Sequence, residues 1–470
     1  MRRVLEFGVE MRRVCAIACM FAAWGFAEDN RSLPDRARQY TLDLIRLDTS
    51  NPPGNETRVA EYLKEVADAQ GIPCEVIGAD PKRMNFVARL HGAGKNRPLL
   101  LMAHSDVVPA DRTQWTIDPF AAELRNGSIY GRGAWDDKSL LATELAVMVE
   151  IKRRNIKLNR DLILLVEADE EEGASGIQWI IQHAWPKIDA EFALNEGGVI
   201  VETKEGTKIF EVQTAEKVPL RVILTARGTA GRSSEPRDDN PIVHLSRAMV
   251  KLTEAEQPAR VTPPVRRFLR ELSKLPEYAW LVPVLPRLEN PATVQAAARE
   301  VRAHDAELDA ILRTTISPTT VRAGARNYVI PNTAEAQVDV RRLLPETREE
   351  VLERIREMIG DNGIEVALAP GPQTPANEAS SIGTALYKAI ERAVTRAYPH
   401  DPVVPYLSRA ATDAAFLRAR GVPVYGVPIF SREAGENRAH GNDEHISPKN
   451  LEEGAGLLWQ VVLEIAGGGI

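Results

Sequence analysis

The stretch Leu99-Leu100-Leu101-Met102-Ala103-His104-Ser105-Asp106 (LLLMAHSD) decides the fold. Five apolar residues running straight into three polar ones read as a short strand buried on both faces, as in a sheet covered by helices. In open α/β sheets, ligands gather just beyond the carboxyl ends of such strands. His104 and Asp106 are two apart, so in an extended chain both side chains leave one face. The imidazole is then placed to hold a metal, while the carboxylate holds the ring's other nitrogen and fixes its tautomer. A core histidine beside a turn aspartate is the bland alternative, and this triplet alone leaves it open.

Outward from this strand, the same alternation of elements recurs. Pro34 to Gln70 carries apolar positions at helical spacing, divided into two helices by Asn51-Pro52-Pro53-Gly54. Asn85 to Leu90, Leu162 to Ala168 and Glu191 to Leu194 read as further strands. The glycine-rich loop Gly131 to Asp136 leads into a helix from about Lys138 to Arg153. Strands alternating with helices predict a three-layer α/β/α sandwich.

The pattern changes after Gln213. Pro219 to Ala226 alternates as a half-exposed strand, and Asn240 to Leu252 reads as a helix. A proline-studded helical segment from Thr262 to Arg313 follows. Next come a strand pair over Tyr328 to Arg341, a helix over Arg348 to Ile359 and a strand over Ile364 to Leu368. This β-α-β-β-α-β order with an insertion predicts a second, α+β (ferredoxin-like) domain. From Glu378 the α/β pattern returns. The expected division is therefore residues 28–213 and 373–470 for the main domain, with 214–372 inserted into it.

At 470 residues, with 44% hydrophobic and 27% charged, the composition is that of a soluble globular protein of two or three domains. A net charge of −7 argues against general nucleic-acid binding, which favours a strongly basic face. No apolar run in the body of the chain is long enough to cross a bilayer, so no stable membrane insertion is expected. Residues 1–27 read as a secretory signal, with Met11 the better start. Arg12 and Arg13 precede an apolar run from Val14 to Phe26 and the small-x-small site Gly25-Phe26-Ala27. A secreted or periplasmic location follows. A lipoprotein reading at Cys19 fits poorly, because the apolar run continues past it. Cys15 and Cys19 fall within the signal, leaving Cys74 alone and no intramolecular disulfide. Any metal must then be held by histidine and carboxylate.

Four further stretches put such groups where core elements end. Asp136 closes Gly-Arg-Gly-Ala-Trp-Asp, where a helix N-cap is its bland role. Glu170, Glu171 and Glu172 follow a buried strand with only Asp169 between, a poor place to pack like charge unless a cation compensates. Glu196 precedes Gly197-Gly198, and His440 lies in His-Gly-Asn-Asp-Glu-His before the last helix. Nitrogen and oxygen ligands without thiolate suit zinc, with cobalt or manganese as substitutes. Two metals sharing a bridging carboxylate would sit roughly 3.5–4 Å apart, and one uncoordinated glutamate could then take a proton from the attacking water. The set predicts a hydrolase.

These motifs resemble those of the dinuclear zinc family of aminoacylases, carboxypeptidase G, succinyl-diaminopimelate desuccinylase and carnosine dipeptidases. The match covers nearly the whole chain after the signal. His104-Ser105-Asp106, Gly131 through Lys138, Asp169-Glu170-Glu171, Glu196 and His440 through Glu444 occur in that family's order. The resemblance implies that Asp136 bridges two zinc ions, with His104 and Glu196 completing one site and Glu171 and His440 the other. It implies Glu170 as the general base and Asp106 as the orienter of His104. Glu172 is left a structural role, and His440 is selected over His445. The inserted domain would be the family's lid and dimerisation domain, giving a homodimer, with Asn327 and Arg341 as substrate contacts. An arginine suits a free carboxylate. One departure stands out: Gly228-Thr229-Ala230-Gly231-Arg232-Ser233-Ser234 carries Arg232 where the family has a histidine that stabilises the oxyanion. Arginine can serve there with a permanent charge.

The chain therefore reads as an exported dinuclear zinc metallopeptidase cleaving amide bonds of small peptides, as a carboxypeptidase or dipeptidase. The alternatives are an N-acyl-amino-acid deacylase, an aminopeptidase and a metal-binding protein without turnover. The segment from Thr262 to Arg313 either shapes specificity or blocks dimerisation.

Overall fold

A computed structural model describes residues 31–432 and 439–468, so the proposed signal lies outside the described residues. The strand Leu99–His104 is buried along its whole length. It runs parallel to Leu162–Glu167 on one side and to Phe192–Asn195 on the other, with Leu99 opposite Leu162 and His104 opposite Glu167. Its alternate side chains feed two cores. Leu99, Leu101 and Ala103 pack with the helices Leu33–Ile45, Lys138–Arg153 and Pro448–Ala466. Leu100 and Met102 pack with Ile177, Ile180 and Leu417 on the opposite face. That is why the run is apolar at every position. Each buried leucine contributes about 1.5–3 kcal/mol relative to exposure. The helix Lys138–Arg153 is buried from Lys138 through Ile151, so its own sequence shows little amphipathic contrast.

The full sheet has ten strands and is mixed. Asn85–Leu90 and Cys74–Ile77 extend it antiparallel beyond Leu162–Glu167. Val424–Gly426, Lys208–Glu216, Val199–Glu202 and Ser431–Arg432 extend it beyond Phe192–Asn195. Val403–Ser408 pairs in parallel with Lys208–Glu216. Helices on both faces make this a three-layer α/β domain.

The second sheet is antiparallel, in the spatial order Thr315–Ala323, Thr333–Arg342, Val218–Arg227, Ile364–Leu368. The helices Pro241–Glu254 and Arg348–Ile359 cover one face through Leu245, Leu252, Val351 and Ile355. This is the ferredoxin-like arrangement. Its hairpin differs from the sequence expectation. Thr333–Arg342 pairs with Thr315–Ala323, whereas within Tyr328–Ile330 only Val329–Ile330 is extended, against Gly231–Arg232. Thr315–Ala323 is an edge strand with an irregular register at Pro318, and a proline-bearing, polar edge strand has almost no apolar alternation to read.

The helical segment following Thr262 shares its core with the large sheet. Phe268, Leu269 and Leu312 pack with Ala215, Val404 and Leu407. Among the described residues no helix is long and apolar enough to cross a membrane.

Candidate metal centre

Three parallel strands end side by side, and each delivers a polar group to the same rim. His104 is the last residue of the central strand. After Leu162–Glu167 the chain turns through Asp169, whose backbone is left-handed at φ 69°, and presents Glu170 and Glu171. After Phe192–Asn195 comes Glu196, followed by Gly197 at φ 91°. A Cβ at Gly197 would run into Gln213 Oε1, and the positive φ is one that glycine adopts without strain. Asp136 arrives from the glycine-rich loop, and His440 from the loop before the final helix, also left-handed at φ 61°. Strained backbone at two of these positions marks a place where geometry outweighs local preference.

Asp136 stands between the two histidines. His104 Nε2 lies 3.1 Å from Asp136 Oδ1, and His440 Nε2 lies 3.3 Å from Oδ2. His440 Nε2 is also 3.1 Å from Glu171 Oε2, and His104 Nε2 is 3.9 Å from Glu196 Oε1. Ligand atoms of His104, Asp136 and Glu171 lie within 4.8 Å of one another, as do those of His104, Glu170 and Glu196. The ring of His104 is set from behind: its Nδ1 is 3.0 Å from the Asp106 carbonyl oxygen, so a hydrogen there donates to the main chain. The Nε2 lone pair of the neutral ring then points at carboxylates, an arrangement that needs a proton or a cation between the two.

The Asp106 carboxylate is 3.6 Å from His104 Nδ1 and makes closer bonds elsewhere. It accepts from Asn51 Nδ2 at 2.7 Å and from the backbone N–H groups of Glu170 and Glu171 at 3.0 and 3.1 Å. It therefore fixes the turn carrying the candidate base as well as the histidine. Glu444, fully buried, does the same for the glycine-rich loop. It accepts from Arg132 Nη1 at 2.7 Å and from the N–H groups of Gly133, Trp135 and Asp136 at 3.0, 2.7 and 2.9 Å. Sequence reasoning left Glu444 and Asn51 without roles. Asn51 looked like turn punctuation, and Glu444 shows its partners only once residues more than 300 apart in sequence meet.

The electrostatics favour a cation. Burial opposes charge on His104, yet Asp106 and Asp136 hold its pKa well above the usual value. Asp136 and Glu171 raise His440 to about 10. Burial, then Asp136, pushes Glu196 up to about 8, and burial with Glu196 drives Glu170 well above the usual carboxylate range. Asp137, fully enclosed, is likewise raised by burial and Glu196. Glu171 Oε1 is buried without a hydrogen-bond partner among the described residues. Imidazole nitrogen and carboxylate oxygen with an orphaned buried acceptor fit a divalent metal, which would replace the protons these groups otherwise hold.

The other predicted residues lie elsewhere. Glu172 is exposed. His445 stacks on Tyr130 with ring centres 4.7 Å apart. Arg232 and Asn327 are exposed on the inserted domain, and Arg341 donates from Nε to Asp339 at 2.8 Å on the same domain. Among the described residues none of these three bonds to the metal-side cluster. What does adjoin it is a pocket of about 280 Å³ opening from Asp136 and Glu196. Trp135, Leu140, Tyr406, Val427, Ile429 and Phe430 form its walls, with Arg409 and Arg432 at its polar end. Arg409 is paired with Glu307, from the helical segment, at 2.7 Å.

A central α/β sheet with clustered histidine and carboxylate at its strand ends, plus a ferredoxin-like insertion, defines a metal-dependent hydrolase of peptide or amide bonds. The model of peptidase family M20/M25/M40 matches residues 100–464, and the chain belongs to that family. Human N-fatty-acyl-amino acid synthase/hydrolase PM20D1 is 26% identical over 456 residues, covering 93% of this chain and 88% of that protein. The M20 metallo-carboxypeptidase of Sulfolobus solfataricus shares the fold with a TM-score of 0.71 and 20% identity, over 92% of this chain and 99% of the other. Human carnosine dipeptidase 1 shares it with a TM-score of 0.65 and 14% identity, over 92% and 97%.

Proposed function

We propose that the chain hydrolyses the amide bond of N-acyl amino acids whose acyl group is apolar, using two zinc ions, and that it acts after export. The observation that carries this reading is the pocket beside Asp136 and Glu196. Its walls are largely aromatic and aliphatic, and among the described residues its only acid besides the two candidate ligands is Asp137, whose pKa burial raises well above the usual carboxylate range. Such a wall accepts a hydrocarbon acyl group. The same reading suits the human relative, whose name specifies N-fatty-acyl amino acids.

The amino-acid carboxylate has a complementary cationic region. Lys217 is buried where the chain leaves the large sheet, and its pKa falls to about 7 through burial and the facing charges of Arg409 and Arg341. Arg409, which lines the pocket, and Arg341 on the inserted domain are thus both close enough for their charges to act on Lys217. His104, Asp136 and Glu196 would hold one ion, and Asp136, Glu171 and His440 the other. Bound ions supply Lewis-acid polarisation of the amide carbonyl and lower the pKa of water. Glu170 takes a proton from the attacking water and returns it to the leaving nitrogen, so amide plus water yields carboxylate and amine. Dipeptide and C-terminal peptide cleavage is the second reading, supported by the same cationic groups.

Zinc-loaded protein with acetyl, octanoyl and dodecanoyl phenylalanine, their C-terminal amides and Ala-Phe separates the two. The proposal expects kcat/KM to rise with acyl length and to collapse on amidation. Faster turnover of Ala-Phe than of any acyl amino acid would replace it with the dipeptidase reading.

A further inference from the structure

Lys208–Glu216 is the large-sheet strand from which the chain passes to the inserted domain, with Lys217 alone between Glu216 and the strand Val218–Arg227. Val212 through Glu216 are buried, and within that run Gln213 is a fully enclosed amide. Its Oε1 has no hydrogen-bond partner among the described residues, a costly placement that an apolar side chain would avoid. What that oxygen meets is the turn carrying Glu196: it occupies the space a Cβ at Gly197 would need. Between the two runs Gly426, which pairs with Asn195 on one side and Gln213 on the other. A Cβ there would meet both the Gln213 side chain and the Glu196 carbonyl oxygen. The amide therefore packs directly against the backbone that aims Glu196.

The other end of the amide is held. Gln213 Nε2 donates to Glu216 Oε2 at 2.7 Å. The same oxygen accepts from Thr412 Oγ1 at 2.9 Å and lies 3.2 Å from Arg418 Nη1. Thr412 Oγ1 accepts in turn from Nδ2 of Asn195, the residue before Glu196, at 3.4 Å. Arg418 donates from Nη2 to the Val424 carbonyl at 2.9 Å and from Nε to Ser380 Oγ at 3.3 Å. Ser380 belongs to the second connection between the domains, and its N–H donates to the Thr214 carbonyl at 2.8 Å. One buried carboxylate at the first connection thus fixes the amide, and Arg418 ties that carboxylate to the second.

We propose that Gln213, pinned by Glu216, is a positioning residue for Glu196, setting where that carboxylate stands relative to His104 and Asp136. The inference rests on Glu196 being a metal ligand. The turn that carries Glu196 is then anchored where the inserted domain begins, as well as within its own sheet. Losing a group that orients a metal ligand from behind typically weakens metal binding by about 10- to 100-fold.

The test is a double-mutant cycle on zinc affinity. Zinc-loaded wild type, Gln213→Ala, Glu196→Gln and the double variant are challenged with graded chelator, with thermal melting of each. Gln213→Met, which keeps the volume but loses the bond to Glu216, carries the cycle if Gln213→Ala fails to fold. The expected result is that Gln213→Ala weakens one zinc ion by about tenfold or more and leaves the other within about threefold. Gln213→Met should weaken the same ion by at least about threefold. In the Glu196→Gln background either replacement should change zinc affinity by less than about twofold, because the ligand it acts through is already lost. A loss of equal size in both backgrounds, the mark of a merely structural role, would overturn the proposal. So would unchanged zinc affinity in a folded Gln213→Ala. Zinc bound as tightly by Glu196→Gln as by wild type would instead overturn Glu196 as a ligand, and the proposal with it.

Discussion

The rim of the large sheet and the face of the inserted domain handle charge in opposite ways. At the rim, acids are packed beside acids, and the turns carrying Glu170 and Asp136 are fixed by the buried carboxylates of Asp106 and Glu444. On the inserted domain, Arg232, Asn327 and Arg341 sit on strands or turns with exposed or half-exposed side chains, and only Arg341 has an acid at hand. The first arrangement is preorganised and stores repulsion that a cation relieves. The second is open to solvent. The difference teaches that the candidate ligands all come from one domain, whereas on the proposed reading substrate recognition draws on both.

The largest effect should come from undoing the preorganisation. Glu444→Ala leaves Arg132 Nη1 and three backbone donors without their acceptor, and breaking a buried pair of this kind costs about 3–5 kcal/mol. Urea denaturation should show that loss, and elemental analysis should show reduced metal because Asp136 is no longer held. Normal metal content in a folded Glu444→Ala would erase the contrast between the two regions. Next, Glu170→Gln should retain metal while kcat falls roughly a thousandfold, within the range for a general base. Steady-state kinetics with metal analysis decides this.

A smaller change is expected on the open side. Arg341→Met should raise KM for substrates with a free carboxylate by about tenfold to a hundredfold, as for a lost charge-assisted hydrogen bond. Metal content and KM for amidated analogues should not move. The effect that is smallest per pH unit is electrostatic. Lys217 has a folded pKa of about 7 against the usual 10.5, so between those values the unfolded chain binds more protons. Stability should therefore rise with pH from about 7 to 10, by about 1 kcal/mol per pH unit from this group, and level off above 10.5. Denaturation of wild type and Lys217→Met across that range should differ in slope by this amount.

The rim was legible in sequence because a strand end fixes where the next few side chains go. The apolar run before His104 and that before Asp169 state both the strand and its exit, so neighbouring parallel strands must bring His104 and Glu170 together. Asp136 and Glu196 were weaker signals and gained weight from order along the chain. Asn51 and Glu444 were not legible, because a hydrogen bond between residues dozens or hundreds of positions apart leaves no local pattern. The edge strand Thr315–Ala323 escaped for a different reason: with one face wet and a proline at its bulge, its sequence resembles a loop. The packing of the helical segment on Val403–Ser408 was equally hidden, since an amphipathic helix does not say which apolar surface it will cover.

That packing also separates two properties an engineer would want to vary independently. The helical segment touches the pocket's wall through Phe268 on Tyr406 and through Glu307 on Arg409, and among the described residues it supplies no group to the metal-side cluster. If the pocket selects the acyl group as proposed, redrawing Glu307 alone would alter the surroundings of Arg409 while leaving the candidate ligands where they are.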